Sequence, residues 1–69
     1  MPGWQVYFVS NDNVIGCIGK SGLMTRRLSD VGTFNCNRKY AEKQALALLS
    51  GPNPLDGYYQ LTYSIKWKD

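Results

Sequence analysis

The chain has 69 residues, eight basic and five acidic, with a net charge of +3, two cysteines and no histidine. A chain this short is expected to be one domain, residues 1–69, burying only about 60% of its unfolded surface in a thin core. Without histidine the commonest acid–base group and triad member is missing, and two cysteines alone do not complete a tetrahedral metal site.

Trp4 to Ser10 reads as the first strand. Trp4, Val6 and Phe8 share one face; Gln5, Tyr7 and Val9 share the other. Both faces are largely apolar, which predicts a central strand or one covered on both sides. Ser10-Asn11-Asp12-Asn13 is a turn signal, because Asn and Asp tolerate left-handed backbone and bond their own main chain. Val14 to Gly19 returns as the second strand of a hairpin. Gly16 and Gly19 weaken that strand and suggest a bulge or a close backbone approach.

Lys20-Ser21-Gly22 is another turn. Leu23 to Leu28 fits a third strand carrying Arg26 and Arg27, and Ser29-Asp30-Val31-Gly32 breaks it. Thr33 to Cys36 is short and β-prone. The sequence leaves open whether these two segments form a second hairpin or a loop with one strand.

The helix is expected over Arg38 to Ser50, with Asn35 or Asn37 as N-cap and Gly51-Pro52 as the stop, Gly51 taking a left-handed cap. Ala41, Ala45, Leu48 and Leu49 fall on one face, while Lys39, Glu42 and Lys43 are expected to point away. Asn53 to Gly57 is a turn-rich connection. Tyr59, Leu61, Tyr63, Ile65 and Trp67 then alternate with Gln60, Thr62, Ser64 and Lys66, the period of a half-buried strand.

The order β-β-(β)-(β)-α-β predicts an α+β fold. It is a small two-layer sandwich with a mostly antiparallel sheet of three to four strands and one helix on one face. The layout is similar to that of several small phage proteins that inhibit host machinery, and implies an inhibitor or adaptor role in a host cytoplasm.

No residue set on one element is arranged for catalysis. Asp12, Asp30 and Asp56 lie in turns, Glu42 on the polar side of the helix and Asp69 at the end, so no enzyme is expected. Gly19-Lys20-Ser21 resembles part of a phosphate loop, but Val14 stands where the first glycine is required, and no helix pattern follows. No cofactor, metal or small-molecule substrate is expected. No signal peptide pattern opens the chain, and no run approaches the ~18 apolar residues of a membrane span. A cytoplasmic protein with Cys17 and Cys36 reduced, and no membrane partner, is the expectation.

A basic set remains: Lys20, Arg26, Arg27, Arg38, Lys39 and Lys43. Arg26 and Arg27 precede the 29–32 turn and Arg38 and Lys39 follow it, so the sequence suggests one basic end. Arg38 and Lys39 oppose the helix dipole, a local cost that points weakly to function. The expected function is binding of a macromolecule, a protein with an acidic surface ahead of nucleic acid. The nucleic-acid alternative adds Tyr58, Gln60 and Lys66 on the outward face of the last strand, as a surface for base stacking and backbone tracking. A third option is self-association through that strand's edge.

Overall fold

The computed structural model describes residues 2–69. Its elements run β1 (Gly3–Ser10), β2 (Asn13–Ile18), β3 (Met24–Thr25), a 3₁₀ turn (Leu28–Asp30), α1 (Arg38–Ser50) and β4 (Thr62–Lys68). The strands form a four-stranded antiparallel sheet in the order β3-β2-β1-β4. Helix α1 packs on one face of it, giving the two-layer α+β arrangement that the residue pattern predicts. No helix among the described residues is long and apolar enough to cross a membrane.

The hairpin closes through Asn11 and Asp12, whose φ values of 50° and 67° suit a two-residue hairpin turn. Its register then slips. Phe8 pairs with Gly16 and Val9 with Val14, so Ile15 is the extra residue of a bulge. Gly16 is also a close approach, since a Cβ there would lie 2.8 Å from Leu55 Cδ1 and 2.8 Å from the Thr25 carbonyl oxygen.

Beyond the bulge, β1 and β2 part. Trp4 and Phe34 exchange backbone hydrogen bonds of 2.8 and 2.9 Å, and the Gly32 N–H donates to the Ile18 carbonyl at 2.9 Å. Gly19 bridges Val31. The segment from Val31 to Phe34 is therefore wedged between the start of β1 and the end of β2. The expected strand at 33–36 reduces to a single bridge at Phe34, because the wedge meets a different neighbour at each end.

The expected strand at 23–28 reduces to Met24–Thr25. The Arg27 N–H donates to Thr25 Oγ1 at 3.1 Å, and the Val31 N–H donates to the Leu28 carbonyl at 3.3 Å. These bonds turn the chain out of the sheet, so Arg26 and Arg27 are not strand residues.

Helix α1 has the expected span. Ala41 and Ala45 are buried, and Leu48 and Leu49 pack against the same core. Asn37 holds the N-cap position, but its side chain makes no capping bond. Glu42 does not point away: it accepts a 2.8 Å hydrogen bond from the Tyr63 hydroxyl and ties α1 to β4. The stop also differs from expectation. Gly51 is extended (φ −100°, ψ 175°), because the residue before a proline is pushed out of helical space. Asn53 does the capping instead, its Nδ2 donating to the carbonyls of Leu48 (3.1 Å) and Gly51 (2.9 Å).

The core lies between α1 and the inner sheet face. Paired residues share a face, so Trp4 with Trp67, Val6 with Ile65 and Phe8 with Tyr63 all turn toward the helix. Val6 and Phe8 are buried, and Leu61, Tyr63 and Ile65 pack against them. The alternating segment does not begin its strand at Tyr59. Gln60 takes φ 50°, β4 starts at Thr62, and Tyr59 is 70% exposed. Ile18 and Met24 complete the core from β2 and β3, together with Leu55, wholly buried in a segment that reads as a loop.

Candidate binding surface

The wedge and the first turns of α1 do not close on each other. Between them lies a cleft of about 340 Å³, lined on its apolar side by Val6, Ile18, Phe34, Cys36, Tyr40 and Ala41. Thr33, Asn35 and Gln44 are the polar residues of its wall. Sequence distance hides this site, since its walls come from β1, β2, the wedge and α1. The one local signal is Tyr40, large, apolar and 58% exposed, directly after two cations.

This volume lies at the low end of ligand-binding cavities. It suits one apolar side chain or a small apolar group, oriented by the amides. No carboxylate lines it, and Cys36 and Tyr40 are its titratable members.

Four of the six predicted basic residues adjoin this cleft in the chain. Lys20 stands two residues before Gly22, a lining residue, and Arg38 and Lys39 immediately precede Tyr40. Lys43 lines a shallower neighbouring hollow with Tyr40, Gln44 and Ala47. Arg38 sits with its guanidinium 5.9 Å from the Trp4 ring centroid, and Trp4 meets Trp67 edge-on at 4.9 Å. A cation–π contact of about 0.5–1 kcal/mol offsets a dipole penalty of about 0.3–1 kcal/mol, so Arg38 is locally accounted for.

Arg26 stands apart. Arg26 donates to the Pro54 carbonyl at 2.7 Å and lies 5.6 Å from the Tyr58 ring centroid. Pro54 follows the C-terminal end of α1, whereas Arg38 opens it, and a helix of 13 residues spans about 20 Å. Arg26 is thus held beside the segment that follows α1, while Arg38 sits over Trp4 at the start of the helix.

The alternative face is divided as well. Tyr58 and Gln60 precede β4, and Tyr58 is engaged by Arg26. Lys66 lies on the open sheet face, its ammonium 5.6 Å from the Tyr7 ring centroid. The Tyr7 hydroxyl donates to Gln5 Oε1 at 3.0 Å, and Gln5 Nε2 donates to Thr33 Oγ1 at 3.2 Å. Gln5 and Tyr7 are the neighbours of Lys66 on this face, and their alternation along β1 is the sequence signal that brings them together.

Both cysteines are free. Cys17 is buried, and its thiol contacts the Arg27 carbonyl at 3.7 Å. Burial, then the nearby Asp30 carboxylate, pushes its pKa above the ordinary 9.0. The folded state thus holds the thiol proton more tightly than the unfolded chain. The resulting stabilisation is complete below pH 9.0 and is lost as pH rises through the folded-state pKa. The expected result of mild alkylation is modification of Cys36, with Cys17 reacting only when the chain opens. Mass spectrometry of peptides at successive times checks this, and equal rates for both thiols would refute it.

No protein-family model, curated protein or solved structure matches the chain.

Proposed function

We propose that this chain is a non-enzymatic binding module of the inhibitor or adaptor kind, acting in the cytoplasm, where unpaired thiols stay reduced. Its partner is a protein segment that carries an apolar side chain flanked by carboxylates. The apolar group seats in the cleft, and the cations at the start of α1 meet the carboxylates. The supporting observation is the apolar cleft lined by Tyr40, with Arg38, Lys39 and Lys43 at and beside that residue in α1. Charge complementarity of this kind acts mainly on the association rate.

Capture of partners from lysate by the wild type, by Lys39→Glu/Lys43→Glu and by Arg26→Glu/Arg27→Glu tests the reading. The first pair is expected to weaken capture of the same partner about tenfold at low salt. The second pair is expected to leave it unchanged. Equal capture by all three proteins overturns the proposal.

A nucleic-acid reading draws on Lys66 over the Tyr7 ring on the open sheet face. It predicts salt-sensitive NMR shifts at Tyr7 and Lys66 when an oligonucleotide is added, because phosphate contacts release counterions. Shifts there, with none around the cleft, would replace the acidic-protein proposal.

A further inference from the structure

Among the described residues β4 is an edge strand, paired with β1 on one side only. Which of its backbone groups are free follows from the opposite side of β1. Trp4 gives both its N–H and its C=O to Phe34. Those groups therefore point away from β4, and Trp4 with Trp67 is a pair without mutual hydrogen bonds. Alternation along the strand makes Val6 with Ile65 and Phe8 with Tyr63 the same kind. The N–H and C=O groups of Tyr63, Ile65 and Trp67 consequently point outward from the sheet edge.

We propose that this edge pairs with the same edge of a second copy, in an antiparallel register centred on Ile65. Three properties of β4 select this occupant and register. Centring on Ile65 uses the whole strand from Thr62 to Lys68. It sets the outward-bonding residues against each other, Ile65 to Ile65 and Tyr63 to Trp67, with two hydrogen bonds at each pair. It also places Lys66 opposite Ser64 and Lys68 opposite Thr62, whereas centring on Lys66 or Trp67 sets lysine against lysine. The lysines guard the edge against those other pairings and leave this one open. On the inner face, Trp67, 49% exposed in the single chain, gains Tyr63 of the second copy as an aromatic neighbour. The product is a continuous sheet with two-fold symmetry.

This pairing uses a surface separate from the cleft, and its salt dependence has the opposite sign. Two copies of net charge +3 repel, so added salt tightens the dimer, while it weakens binding of an acidic partner.

Sedimentation velocity over micromolar to near-millimolar concentration, at low and moderate salt, tests it. The wild type is expected to pass from monomer to dimer. Thr62→Glu, which sets a carboxylate opposite Lys68 twice per dimer, is expected to tighten the dimer about tenfold; Thr62→Lys is expected to weaken it similarly. Thr62 is exposed, so neither change threatens the fold. A wild type that stays monomeric throughout, or a dimer indifferent to both Thr62 substitutions, overturns the proposal.

Discussion

Leu55→Ala is expected to lower the unfolding free energy by about 2–5 kcal/mol. Leu55 is wholly buried, among the largest side chains in the core to be so, and it fills the space left by the missing side chain of Gly16. A domain of 69 residues has on the order of 3–10 kcal/mol of stability in all. Loss of one leucine therefore removes a large share of it. The loop has little means of collapsing into the vacancy. The Leu55 N–H donates to Asn53 Oδ1 at 2.9 Å, and the Asn53 N–H donates to Asp56 Oδ2 at 3.1 Å, which holds the loop in its own shape. Urea unfolding is the measurement. The midpoint falls while the slope stays close to that of the wild type. A change below about 1 kcal/mol would show that Leu55 is not a core residue.

Gly16→Ala is the complementary case, with an expected loss of about 1–3 kcal/mol from overpacking. The added methyl would lie 2.8 Å from Leu55 Cδ1 and 2.8 Å from the Thr25 carbonyl oxygen. The leucine methyl belongs to a side chain and has some freedom to yield. The carbonyl belongs to the backbone of β3, beside its pairing with β2, and yields only if that pairing shifts. Combining the two substitutions isolates the leucine contact. Leu55→Ala makes room for the new methyl, so the double variant is expected to lose less than the sum of the single losses. Strict additivity would place the whole cost of Gly16→Ala at Thr25.

The helix was legible because its signal is local: a run of good formers, an alanine-leucine face and a Gly-Pro stop all lie within one segment. The β1–β2 hairpin was legible for the same reason, since Asn11 and Asp12 permit the backbone that the turn needs. The alternation from Tyr59 to Trp67 marks the inner face of β4 and overextends the strand at its start. Periodicity records which side chains can face a core, and says nothing of where the partner strand ends. Val9 pairs with Thr62, and Ser10 instead donates its hydroxyl to the Tyr59 carbonyl at 2.6 Å. That side-chain bond takes the place of a continued ladder.

The candidate surface was legible only in part. Residue type picks out Arg38, Lys39 and Lys43 but not the cleft beside them, because its walls come from four separate segments. Nearness in the chain groups Arg26 with them. The pull of Pro54 and Tyr58 holds it elsewhere, a contact between residues 28 positions apart in the case of Pro54.

By itself the sequence determined the fold class, the helix, the hairpin turn and the inner face of β4, since each depends on residue type and period within one segment. The tertiary structure decided the rest: which face of β1 is inner, the wedge at Val31–Phe34, the seat of Leu55 against Gly16, the edge position of β4 and the contacts that hold Arg26. Those features depend on which distant segments compete for the same backbone groups and the same space, and neither composition nor periodicity carries that information.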